Sequence, residues 1–374
     1  MILGQMNFVI KPCTFVHQVE SQYGCLIELL PFAYLFSYPN CIYLDIDKQL
    51  ALNYRITSLL EYNAYTRKNI GFLYAIEHGA KVIYETDDDN SPNTGGIDFD
   101  PGLKLSYLVY TPKENSHAVN PYSHFGQSTV WPRGYPLDKI ADVEPHTFKE
   151  CSNQRALVQQ GVVDGDPDVD AIYRLTRKDT GVKLDIQFDK KAQPVLIPKG
   201  LMSPYNCQNT LILYEAFWSL VLPQTVSFRT TDIWRSYWAQ RLLWEIDGYV
   251  AFFGPNAYTE RSAHSYHHDF KEEKQMYMES GDFVEFLSNW RPTSLKFEEK
   301  ILELSVAMVK KGFWKEKDVW LVKAWLEDLK SIGYDVSKIE AQGSSICDSP
   351  VKTVPPKENP SAYLRAGKDL KSLV

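Results

Sequence analysis

The residues best equipped for chemistry are three adjacent carboxylates, Asp87, Asp88 and Asp89, which close the stretch KVIYETDDDN. Like charges side by side repel, and burial makes the repulsion worse. They are tolerable in solvent, or when a hard cation neutralises them. Val82, Ile83 and Tyr84 predict a short buried strand running straight into the triplet. A strand that delivers Asp-x-Asp at its carboxyl end can hold Mg2+ or Mn2+ through carboxylate oxygens, and through the metal a diphosphate. The other reading is an acidic surface turn, because Asp, Asn, Ser and Pro are all turn formers.

Further candidates lie along the chain. Arg67 and Lys68 open a helix, and a basic pair there opposes the helix dipole unless an anion sits nearby. They either contact a nucleotide or are solvated. Asp232 stands at the start of the run TTDIWRSYWAQRLLWE, where an ordinary N-cap would stand. Asp164, Asp166, Asp168 and Asp170 alternate in QQGVVDGDPDVDA. This is not a calcium loop, because the later Gly and the bidentate Glu are missing. Asp166, Asp168 and Asp170 can bind acceptor hydroxyls or form a solvated acidic loop. Arg133, in WPRGYP, either contacts substrate or holds a carboxylate such as Asp168. Trp131, Trp234 and Trp238 could stack on a sugar, although helical spacing puts Trp234 and Trp238 in a core. His264, His267 and His268 read as a polar loop.

The elements that must position these groups read as an α/β pattern. Thr66 is a plausible N-cap for a helix over 67–78, and Gly79 sits where a C′ residue belongs. Strands are expected at 41–44, 81–85, 105–110, 193–198 and 249–253, and an apolar helix at 211–221. Residues 119–137 read as a long irregular loop, of the kind that tends to be functional. From about 272 to 334 the periodicity is helical and amphipathic. Residues 1–40 show no clean element, and 341–374 read as a disordered tail rich in Ser, Pro and Lys.

The 374 residues carry a net charge of -7, which argues against nucleic acid as a partner. Hydrophobic content of 44% and charged content of 23% are those of a globular protein. Six scattered cysteines without C-x-x-C spacing suggest neither a zinc site nor a disulfide framework. The most apolar early run, 25–36, contains Glu28 and Pro31 and is too short to span a bilayer. As written the chain shows no membrane anchor or signal peptide, which reads as cytoplasmic if it is complete.

Several motifs in order, RKNIGFLYAIEHGAKVIYETDDDN, HFGQSTVWPRGYPL, QQGVVDGDPDVDA and TTDIWRSYWAQRLLWE, resemble the STELLO family of plant Golgi glycosyltransferase-like proteins, over roughly 41–335. A fainter similarity links Asp87–Asp89, Arg133–Pro136, Pro167–Ala171, Ile197–Gly200 and Asp232–Trp234 to the reversibly glycosylated polypeptides, which are UDP-arabinopyranose mutases. Both resemblances imply a GT-A-like fold, a Rossmann-type α/β sheet that binds a nucleotide sugar. The expected organisation is an irregular 1–40, a GT-A-like domain over 41–270, a helical extension over 271–340 and a tail over 341–374.

The resemblance implies a metal-dependent transferase using a nucleotide sugar, a UDP-sugar by preference, and an unknown carbohydrate or protein acceptor. Asp87 and Asp89 would hold Mn2+ or Mg2+, with Asp88 or Glu85 assisting. Asp232 would take the acceptor proton, with Arg241 several residues on, and Arg133 aligns with the arginine that the mutases glycosylate. Relatives carry an anchor and a clear first strand ahead of this region, and 1–40 reads as neither. An inactive scaffold or trafficking factor and a sugar-nucleotide mutase are the alternative functions. A Golgi location is implied by the resemblance alone.

Overall fold

In the computed structural model, residues 8–10, 42, 44–87, 89–93, 98–112, 116–142, 147–177, 184–259, 265–342 and 346–353 are described. They form a mixed α/β fold of the GT-A-like type that the sequence predicts. Its strands are β1 (Phe8–Ile10), β2 (Val82–Thr86), β3 (Asn90–Pro92), β4 (Tyr107–Tyr110), β5 (Thr147–Ser152), β6 (Ala156–Gly165), β7 (Val195–Ile197), β8 (Asn209–Leu213), β9 (Tyr249–Thr259) and β10 (Ile346–Thr353). Its helices are α1 (Ile46–Ala51), α2 (Lys68–Glu77), α3 (Pro121–His124), α4 (Ala171–Arg177), α5 (Thr231–Leu243), α6 (Tyr266–Glu272), α7 (Lys274–Asn289), α8 (Phe297–Lys311) and α9 (Glu316–Ser331).

The strands join in one sheet in the order β1-β2-β8-β6-β9-β7-β4-β5-β10, with β3 paired to β9. β1 runs parallel to β2, and β6 parallel to β9. β8 lies antiparallel between β2 and β6. Hence β1, β2, β6 and β9 all point one way, and their carboxyl ends share one edge, where open α/β sheets bind ligands.

The ten residues of β6 are all buried, as strands covered on both faces are. One cover is α5, whose thirteen residues are also buried. Two of its polar side chains bond nearby backbone: Ser236 donates to the Ile233 carbonyl and Gln240 to that of Ser203. The helical extension closes over α5. Trp234 meets Phe283 of α7 at 4.8 Å between ring centroids, and Trp238 meets Trp314 at 5.7 Å. In α8 the buried positions Phe297, Ile301, Leu304, Ser305 and Met308 recur at helical spacing.

Several expectations need correction. Phe8–Ile10 pairs with β2, so a strand exists where 1–40 showed none. Residues 46–51 are helical, capped by Asp45, which accepts from the Lys48 N–H. Cys41 and Tyr43 lie outside the described residues, so the strand expected at 41–44 is not described as one. Thr66 does not cap α2; it lies in a 3-10 turn, Tyr65–Arg67, and its hydroxyl reaches Gln224. The stretch 211–221 is not an α-helix but the end of β8 followed by the 3-10 turn Tyr214–Leu220. Within the expected tail, β10 pairs antiparallel with β5. A disulfide joins Cys151 to Cys347 across 196 residues, where none was expected.

Candidate active site at the carboxyl edge of the sheet

Three segments are brought to this edge by backbone ties. β2 ends at Thr86 and hands over Asp87, whose N–H donates to the Gln208 carbonyl at 3.3 Å. The turn is then pinned by Asn90, whose amide donates to the same carbonyl at 2.5 Å and accepts from the Thr259 hydroxyl at the end of β9. β6 ends at Gly165, and the next N–H, of Asp166, donates to the Thr259 carbonyl at 3.1 Å. Gly165 has φ +88°, and a side chain there would run into that carbonyl and the Tyr258 ring. Thus both acidic segments hang from the last residue of β9.

The third segment is the first turn of α5. Gly134 has φ +83°, and a Cβ would collide with the Ile233 side chain. The Arg-Gly turn therefore lies flat on α5 and lands Arg133 on Asp232. The guanidinium donates to both oxygens of Asp168 (Nε and Nη2, 2.8 Å each) and to both of Asp232 (Nη1 3.0 Å, Nη2 2.9 Å). It also donates to the Arg229 carbonyl. Burial opposes its charge, but the two carboxylates hold the Arg133 pKa well above its ordinary value. Asp232 accepts two further bonds, from the N–H groups of Ile233 (3.0 Å) and Cys207 (3.3 Å). With those, all four of its lone-pair sites are occupied.

The remaining loop carboxylates are also held. Asp166 accepts from Arg174 Nη1 at 2.5 Å. Asp170 accepts from the Trp131 indole at 2.6 Å and the Tyr173 N–H at 2.7 Å. Burial, above all, pushes the Asp170 pKa up to about 6. Below the edge lies a buried ionic cluster. Glu85 pairs with Arg235 (2.8 Å) and with Lys68 (3.2 Å), and Arg235 also reaches the Cys207 Sγ at 3.2 Å. Burial raises the Glu85 pKa, yet the two cations hold it below the ordinary carboxylate value.

Asp87 contrasts with all of these. Its pKa is pushed up to about 7, first by burial and next by Asp89, with Lys68 acting against the rise and Asp168 and Asp232 adding to it. Asp87 and Asp89 are each partly exposed, so solvent tempers the repulsion. Asp88, between them, lies outside the described residues. Among the described residues no three His, Cys, Asp or Glu side chains come together as a metal cluster. The two carboxylates nonetheless fit one face of a hard cation: the donors are oxygens, they are solvent-accessible, and their mutual repulsion is what a cation relieves. Such a site would be completed by water and by a ligand's own oxygens.

The structure brings Asp168 and Asp232 within reach of the Asp87 charge. Arg67 and Lys68 are not solvated: Arg67 is buried, donates to the Gln49 amide oxygen from Nε at 2.8 Å and lies over Tyr62. Arg241 is placed elsewhere. It pairs with Glu245 at 2.7 Å and packs over Trp244 and Trp290, nine residues or about 14 Å along α5 from Asp232. Trp234 and Trp238 belong to the core. His267 and His268 are exposed in α6, and His264 lies outside the described residues. Sequence reasoning passed over Arg235, Arg174, Asn206 and Tyr65. Arg235 alone left a signal, as an arginine inside an otherwise buried helix face.

A family model described as STELLO glycosyltransferases matches residues 229–350, from the start of α5 through the helical extension into β10. "Probable glycosyltransferase STELLO1" of Arabidopsis thaliana is 39% identical over 344 residues, covering 88% of this chain and 44% of that protein. "Probable glycosyltransferase STELLO2" of the same plant is 39% identical over 342 residues, covering 87% of this chain and 44% of its own length. The chain therefore spans less than half the length of these relatives. Over most of its own length, the chain is STELLO-like.

Proposed function

We propose that this chain carries the donor-binding and catalytic part of a glycosyltransferase that takes a nucleotide sugar, a UDP-sugar by preference. The observation that carries the reading is the repelling pair Asp87 and Asp89 at the carboxyl edge of the sheet, beside Asp232 at the start of α5. Mn2+ or Mg2+ is the cation these oxygens suit, and Asp88 stands between them in the sequence. When bound, such a cation stabilises negative charge developing on the departing nucleoside diphosphate. Asp168 and Arg133 fix the position of Asp232. In the transfer the acceptor oxygen bonds to the anomeric carbon, the bond from that carbon to phosphate oxygen breaks, and the acceptor proton passes to a carboxylate. Asp232 can serve there once the acceptor hydroxyl displaces the Cys207 N–H, the longest of its four bonds.

That full occupancy also supports a second reading, an inactive scaffold, in which Arg133 and Asp232 serve only the fold. The mutase reading finds less support, because the Arg133 guanidinium is buried between two carboxylates and closed to glycosylation. Chromatography of a UDP-sugar incubated with protein and Mn2+ separates the three. Release of UDP and free sugar is expected, and should vanish in Asp87→Ala/Asp89→Ala. An isomerised UDP-sugar would point to a mutase, and an unchanged donor to a scaffold.

A further inference from the structure

Beside Asp232 two aromatic rings form a corner to which the donor reading gives no role. Phe228 lies on the turn leading into α5 and is 50% exposed. The turn is rigid: Ser227 Oγ bonds Thr230 Oγ1 at 2.8 Å and the Glu272 carbonyl, and Arg229 pairs with Glu273 at 2.8 Å. Its ring meets that of Tyr65 edge to face, with centroids 5.3 Å apart and planes at 74°. Tyr65 in turn is fixed by the 3-10 turn ahead of α2, and Lys68 Nζ lies 5.5 Å from its ring centroid. The Tyr65 phenol lies within reach of the charges of Asp87, Asp232 and Glu85. Tyr65 is partly exposed, and among the described residues no hydrogen bond engages its hydroxyl.

A sugar ring matches this corner. A pyranose presents an apolar C–H face with a slightly positive edge, which stacks on the negative face of an aromatic ring, while its rim of hydroxyls needs donors and acceptors. The corner supplies one ring face, one free phenol and one carboxylate. An acyl chain would need a continuous apolar groove, whereas charged residues flank Phe228 on the α5 side, at Arg229 and Asp232.

We propose that Phe228 and Tyr65 form an acceptor subsite: a sugar ring of a carbohydrate acceptor stacks on Phe228 and presents a hydroxyl to Tyr65 and Asp232. This rests on the transferase reading above and assigns its acceptor to the carbohydrates. Phe228 and Tyr65 position that hydroxyl against the Asp232 carboxylate.

The test is saturation-transfer NMR on the whole chain, with methyl β-glucoside, methyl β-galactoside and methyl α-mannoside as probes. Ring protons of at least one glycoside should be saturated by the wild type. Phe228→Ala should weaken that binding about fivefold or more, and Phe228→Trp should retain it. Tyr65→Phe should weaken it about threefold or more, as loss of one hydrogen bond does. The Phe228 variants should unfold within a few degrees of wild type, since the ring is half exposed. No transfer to any of the three glycosides, or transfer unchanged by Phe228→Ala, overturns the proposal. UDP with Mn2+ is recorded on the same wild-type sample. A UDP signal without a glycoside signal overturns the subsite and leaves the donor reading standing. A Phe228-dependent glycoside signal without a UDP signal supports the subsite and removes the donor reading.

Discussion

Asp168 and Asp232 close on a guanidinium that the chain itself supplies, each oxygen at 3.0 Å or less from Arg133. Asp87, at the same edge of the sheet, is given no such clamp among the described residues: its neighbours Asp89, Asp168 and Asp232 all push its pKa upward, and Lys68, which opposes the rise, is paired with Glu85. The first arrangement is complete without a ligand. The second is left poised for a cation from outside. Acidic residues near one another in space are therefore not one site with one role. Which of them serve the fold, and which serve a ligand, is decided by where the compensating charge comes from.

The largest effect should come from removing the internal cation. Arg133→Met leaves two buried carboxylates facing one another, and denaturant unfolding should show a loss of about 3–5 kcal/mol. A loss below about 1 kcal/mol would break the comparison, because Arg133 would then not be what holds Asp168 and Asp232.

Asp170 sharpens it. This carboxyl is buried beside Asp168, yet it is given N–H donors rather than a cation, and its pKa rises to about 6. A folded pKa above the unfolded value of about 3.9 favours the protonated form in the fold. That contribution is present at low pH and is lost as pH rises through about 6. Relative to wild type, Asp170→Asn should gain up to about 3 kcal/mol between pH 4 and pH 7, measured by urea unfolding at each pH. A stability difference that does not change with pH would show that Asp170 is better compensated than its surroundings indicate.

Asp87→Asn should move stability the other way from Arg133→Met. In metal-free buffer it removes a repelled charge, and the expected gain is about 1 kcal/mol, or roughly 2 °C in Tm. A loss would mean that Asp87 is already neutralised within the protein. Smallest of all should be Arg241→Gln, which touches the Glu245 carboxylate, the Trp290 carbonyl and two tryptophan rings, away from the acidic edge. UDP affinity should stay within twofold of wild type, with stability lower by about 1 kcal/mol.

Some of this was legible in the residues and some was not. The acidic turn could be placed because the strand before it is short and apolar and Gly79 marks the end of the preceding helix; Gly79 indeed adopts φ +86°. The helical extension was legible from its 3.6-residue period. β6 was not, because Gln159, Gln160 and Gly161 interrupt its apolar run. Each glutamine is held largely by distant segments, Gln159 by the Asp100 backbone and Gln160 by Asn206, Asn209 and Thr210. The run 211–221 has the length and composition of a buried helix, and tertiary pairing with β2 and β6 made its start a strand. The Arg133 clamp joins residues 133, 168 and 232, and the disulfide joins 151 and 347, separations over which local pattern carries no information.

The most direct test is calorimetric titration of UDP into the protein with and without Mn2+. Wild type should bind at least about tenfold more tightly with the metal, and Asp87→Ala/Asp89→Ala should lose that gain while its metal-free affinity stays near that of wild type. Equal affinity with and without Mn2+ in wild type, or the same metal-dependent gain in the double variant, would contradict the claim that this pair of carboxylates awaits an external cation.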